Sequence, residues 1–131
     1  MDAKTKRLFV SCVNDKLQVV SSEDGHMVAS FPIGAGTDAD GFDPVRHVIF
    51  SSNADGTLSV IREKTADSFE LEPAISTALG ARTMTVDPAT GRVYLVTADV
   101  AGQAPPKKAG GRPRVTFVPR SVKLLMLDPK P

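Results

Sequence analysis

The chain repeats itself. The stretch Asp2-Ala-Lys-Thr-Lys-Arg-Leu-Phe-Val returns as Asp43-Pro-Val-Arg-His-Val-Ile-Phe and again as Asp87-Pro-Ala-Thr-Gly-Arg-Val-Tyr-Leu, at spacings of 41 (43 − 2) and 44 (87 − 43) residues. Further along, Leu17-Gln18-Val19-Val20 aligns with Leu58-Ser59-Val60-Ile61 and with Val122-Lys123-Leu124-Leu125, while Asn14 pairs with Asn53 and Pro32 with Pro73. A period of this length marks a solenoid or a propeller, because one unit cannot bury its own apolar face and must stack on the next. Three units follow, at 1–36, 37–80 and 81–131, in one domain of 131 residues.

Within each unit, β-branched and aromatic residues cluster in short runs bounded by Gly, Asp, Asn or Pro, the signature of strands. In the middle unit these runs are Ala39 to Asp43, Val48 to Ser52, Thr57 to Arg62 and Ser68 to Glu72. Asp55-Gly56, between the second and third, suits the positive φ angles of a tight hairpin. Ten Gly and ten Pro in the chain interrupt it too often for long helices. Val48-Ile49-Phe50 and Leu124-Leu125-Met126-Leu127 are continuously apolar, as in strands covered on both faces. Antiparallel four-stranded units packed face to face describe the blades of a propeller. The rival architecture, a β-sandwich of about ten strands, needs no such echo.

These residues resemble the propellers built from repeats of about 40 residues with a Tyr-Val-Thr-Asn-like strand, the YVTN or YncE-like family. The matching segments are Asp87 to Asp99, Ser51 to Val60 and Pro32 to Asp40, so the resemblance covers nearly the whole chain. It implies blades whose strands run from the channel outwards, and relatives that are full rings, often exported, many without assigned chemistry. In that strand order the first unit begins at the end of its inner strand and the third stops before an outer strand, leaving ten strands. The expected fold is therefore all-β, a partial propeller of three blades with the first and last incomplete. Two bare blade faces of about 500 Å² each would forfeit on the order of 20 kcal/mol, an upper bound. Self-association is expected, two copies giving a ring of about six blades.

The sequence offers little chemistry. Lys and Arg number 16 against 15 Asp and Glu, so no global field advertises nucleic acid or a membrane. No apolar run approaches a membrane span and no secretory signal is visible, which leaves the compartment unknown. The one cysteine, Cys12, excludes an intramolecular disulfide and sits in a run expected to be a buried strand. An insertion at 100–120, expected as a Gly/Pro-rich loop, carries Lys107, Lys108, Arg112, Arg114 and Arg120, a candidate contact for a polyanion. The plainer reading is a solvated loop.

Propellers bind at the mouth of the central channel, and the alignment puts Asp38, Asp40, Arg82 and Thr83 at the starts of inner strands. Arg82 and Asp38 stand at equivalent positions, where a simple ion pair is the alternative. Asp38, Asp40 and Asp43 lie close enough in sequence for Ca²⁺, but Phe42 and Asp43 break the calcium-loop pattern. Gly34-Ala-Gly-Thr-Asp-Ala39 fits a dinucleotide fingerprint on paper and lacks the helix that motif needs. His26 and His47 read as surface histidines without a neighbouring metal ligand, and no metal or cofactor is expected. No nucleophile elbow, paired-histidine zinc motif or phosphate loop occurs. The leading expectation is a non-enzymatic scaffold or binding module. Its rivals are a fragment of an enzyme propeller, lactonase-like or quinone-linked, and a polyanion binder.

Overall fold

A computed structural model describes residues 1–105 and 114–129. It is built of three antiparallel sheets, and the described residues contain no helix. The first sheet holds β1 (Arg7–Cys12), β2 (Lys16–Ser21) and β3 (Met27–Pro32); the second holds β4 (Thr37–Asp43), β5 (Val48–Asn53), β6 (Thr57–Thr65) and β7 (Ser68–Ser76); the third holds β8 (Arg82–Val86), β9 (Val93–Ala104) and β10 (Arg114–Leu127). In each sheet neighbours in sequence are neighbours in space, as expected of a meander blade. The first sheet has only an Asp2–Arg7 bridge where the second has β4, and no strand flanks β10 among the described residues.

Alternation along the strands divides each sheet into two faces. Leu17 and Val19 of the first sheet meet Ile49 and Ile61 of the second, with Phe9, Phe31 and Phe42 packed around them. On its other face the second sheet presents Leu58 and Phe50 to Ala81, Val93, Leu95, Leu125 and Leu127. The middle sheet is thus covered on both sides, which is why Val48-Ile49-Phe50 is apolar without a break. The apolar run at the end of β10 is different: Leu125 and Leu127 face inward, whereas Leu124 and Met126 are exposed at 56% and 58%.

Two expectations need correction. The insertion at 100–120 is largely strand where it is described: β9 continues to Ala104 and β10 begins at Arg114, paired Arg114 to Ala104 and Thr116 to Gly102, with register shifts around Phe117. Its β-branched content and regular pairing outweigh the Gly and Pro that suggested a loop. Cys12 is half-buried rather than buried. Phe9 and Ser11 point at the second sheet, so Leu8, Val10 and Cys12 face the other way, outward.

Candidate functional site

The repeated Asp turn builds the most unusual polar cluster. Asp2, Asp43 and Asp87 each accept backbone N–H bonds from residues two or three further on: Lys4 at 2.7 Å, Val45 at 2.9 Å and Ala89 at 3.0 Å. Four residues after each aspartate the chain enters the left-handed region, at Lys6 (φ 58°), His47 (φ 55°) and Gly91 (φ 77°). This places His47 on the β4–β5 turn, where its carbonyl accepts the Glu63 N–H of β6 at 2.9 Å. Across the boundary, the Asp2 turn of the first sheet lies against the same corner. Arg7 reaches the Ala66 carbonyl (2.8 Å) and Asp67 (2.8 Å), and the Thr5 hydroxyl donates to Glu63 Oε1 (2.7 Å).

Asp2, His47 and Glu63 converge there. His47 Nδ1 is 3.7 Å from Asp2 Oδ2 and 4.0 Å from Glu63 Oε2. The two carboxylate side chains are buried, at 5% and 1% exposure, and neither of those oxygens has a hydrogen-bond partner. Burial pushes the Glu63 carboxyl above the ordinary range, against the Thr5 hydrogen bond, and Asp2 adds to the rise both by its charge and by a side-chain hydrogen bond that needs a proton between the two carboxylates. The imidazole packs edge-on to Phe42, 6.4 Å away, and is itself 44% exposed. The reading of His47 as a histidine without neighbouring ligands therefore fails. Nothing in the sequence links residues 2, 47 and 63: pairing within the second sheet sets Glu63 beside His47, and inter-sheet packing brings Asp2 to them.

The four residues expected at a channel mouth behave otherwise. Asp38 Oδ2 accepts from the Thr83 N–H at 2.9 Å and its hydroxyl at 3.4 Å, joining β4 to β8. Asp40 accepts from the Ser11 N–H at 2.9 Å and from its hydroxyl, joining β4 to β1. These two carboxylates are fasteners between sheets. Thr83 has a φ of 53°, which turns its N–H toward Asp38. Arg82 forms no ion pair with Asp38 and has no side-chain partner among the described residues. Asp43 caps its own turn and pairs with Arg46 at 3.0 Å, so Asp38, Asp40 and Asp43 point to three different partners and do not form a calcium cluster.

Of the basic residues in the insertion, Lys107, Lys108 and Arg112 lie outside the described residues. Arg114 is exposed at the start of β10, and Arg120 is exposed with a φ of 62°. A groove of 690 Å³ runs between the second and third sheets, lined by Val48, Phe50, Val60, Ile75, Val93 and Leu127, with the Arg62–Glu72 ion pair (2.5 Å) at its edge.

No sequence family and no curated protein matches the chain. Solved structures do. Hydrazine synthase from Kuenenia stuttgartiensis superposes with a TM-score of 0.63 at 14% identity, over 88% of this chain and 30% of that one. The dihydro-heme d1 dehydrogenase NirN, in complex with DHE, gives 0.62 at 14% identity over 98% and 23%. The chain thus spans less than a third of the length of either. Both neighbours are β-propeller proteins, and at such low identity the likeness establishes the fold alone: this chain is an all-β, unclosed run of propeller blades.

Proposed function

We propose that the chain is a scaffold or binding module, a YncE-like run of blades that assembles through its two open sheet faces. A second copy supplies the neighbouring sheet, and two chains make a ring of about six blades. The observation that supports this most is the outward face of the third sheet. Val96 of β9 and Val122, Leu124 and Met126 of β10 stand there at 40–75% exposure, and the apolar run at the end of β10 is that of a strand covered on both sides. The outward face of the first sheet carries Leu8, Val10, Val20 and Met27, with Val10 and Met27 at 43% and 59%. Contiguous apolar faces of this kind mark interfaces. They are different surfaces, so the contact is head to tail, and a rotation per blade that closes gives a ring rather than a filament.

Sedimentation velocity over a range of concentrations tests the reading. The expected particle has twice the 13.9 kDa chain mass, and L124K/M126K, which alters two exposed positions, sediments as a monomer with an unchanged β-sheet spectrum. A wild-type monomer at every concentration overturns it.

A further inference from the structure

The cluster at Asp2, His47 and Glu63 carries an inference that does not depend on self-association. The three positions recur in the repeat, and by strand register their equivalents at the second inter-sheet boundary are Asp43, Gly91 and Pro129. There the charge balance is ordinary: Arg46 donates to Asp43 Oδ2 at 3.0 Å, and its guanidinium lies over Gly91. At the first boundary the residue equivalent to Arg46 is Thr5, which is neutral, and a second carboxylate, Glu63, has been added. Two buried acids thus face one histidine, and neither has a Lys or Arg partner among the described residues. Burying two such carboxylates is costly unless a proton or a cation neutralises them, and a cation does so for both at once.

The arrangement also has the form of a ligand set. Each carboxylate is held through one oxygen, Asp2 Oδ1 by the Lys4 N–H and Glu63 Oε1 by the Thr5 hydroxyl, and turns its unpartnered oxygen toward His47 Nδ1. Such outer contacts orient metal ligands. The three donor atoms all lie within 4.8 Å of one another. Tetrahedral zinc, with bonds of about 2.0–2.2 Å, sets its ligand atoms roughly 3.3–3.6 Å apart. The 3.7 and 4.0 Å separations to His47 are therefore within a small side-chain adjustment of that geometry. The imidazole nitrogen argues against Ca²⁺ or Mg²⁺, which take oxygen ligands, and for the zinc class.

We propose that Asp2 Oδ2, His47 Nδ1 and Glu63 Oε2 bind one divalent cation of the zinc class, and that this ion clamps the first sheet to the second. The partly exposed His47 ring marks the side from which solvent reaches the ion and completes its coordination.

The test is zinc uptake by the whole chain, followed by equilibrium dialysis with metal analysis and by thermal melting. Wild type is expected to bind one zinc per chain and, at zinc a hundredfold above its dissociation constant, to melt at least roughly 5 °C higher than in chelator. Calcium and magnesium should leave the melting temperature unmoved. E63Q keeps the shape and the Thr5 contact, and H47G installs the residue the third repeat already uses at this turn, so both are expected to fold. Each should weaken zinc binding at least roughly tenfold and abolish the thermal shift. No stoichiometric zinc on wild type, or zinc retained equally by E63Q and H47G through other sites such as His26 or Cys12, overturns the proposal.

Discussion

An aspartate recurring at residues 2, 43 and 87 does the same local work three times, accepting backbone N–H bonds so that the chain can turn through a left-handed residue four positions later. Only Gly91 reaches that conformation without a Cβ clash. A Cβ added there would also come within 2.6 Å of the Arg46 guanidinium, a flexible neighbour that can move. Gly91→Ala is therefore expected to cost about 1–2 kcal/mol in urea unfolding, chiefly from the backbone. A related turn lies between β2 and β3, where Asp24 accepts from the Ser21 hydroxyl and from the His26 imidazole and N–H, contacts that hold its carboxyl at about 2 instead of 3.8. The folded chain releases this proton more readily than the unfolded one, so the turn's contribution is present above pH 3.8 and lost as pH falls through about 2. Wild type should exceed D24N in stability at neutral pH, and the gap should close between those limits; an Asp24 titration midpoint near 3.8 by NMR would contradict this. The recurring aspartates were legible in the sequence because they sit at a fixed period. The acid–histidine cluster was not, since 45 residues separate Asp2 from His47 (47 − 2) and 16 separate His47 from Glu63 (63 − 47), spacings that carry no motif.

Turn chemistry decided which elements could be read in advance. Asp55-Gly56 closes the β5–β6 hairpin with Gly56 at φ 89°, and Asp15 occupies the equivalent place in the first sheet at φ 59°. This equivalence sets Asn14 against Asp55 and Cys12 against Asn53, a shift of two residues from the Asn14–Asn53 match, because the turn geometry and not residue identity fixes register. The β9–β10 arm departs from the loop expected of its composition for a similar reason. Gly102 pairs with Thr116 across the hairpin, and the arm is anchored by a tertiary contact that composition does not reveal. Gly80 lies in the turn before β8 with φ 72°, and a Cβ there would come within 2.8 Å of the Phe117 ring, which covers it from the arm. Phe117→Ala removes that cover. It is expected to destabilise the chain by about 1–2 kcal/mol, the ring being only partly buried, and to speed amide exchange in β9 beyond Ala98 ahead of the rest of the third sheet. Uniform exchange across that sheet would show that the arm does not depend on Phe117.

For the molecule as a whole, the same alternation that covers both faces of the middle sheet leaves, among the described residues, one face uncovered on each of its neighbours. The fold class followed from the period and the number of strands from the strand order that the family resemblance implies, but the identity of the outward faces required the structure, since a run such as Leu124-Leu125-Met126-Leu127 does not show which residues are inward. Cys12 turns this into a measurement. It lies on β1 with Leu8 and Val10, on the outward face of the first sheet, and is half-buried in the single chain. If that face meets the outward face of the third sheet in another copy, the thiol is accessible only in the unassembled chain, and its reaction rate with a maleimide follows the unassembled fraction. The rate is then expected to fall by roughly tenfold once about nine-tenths of the chains are assembled, and to be independent of concentration in L124K/M126K, whose changes lie on the opposite flank. Because the substitutions and the thiol are on different sheets, the two results together identify a head-to-tail contact. A thiol that reacts at one rate at all concentrations, in a sample that sediments as a dimer, would place the interface elsewhere.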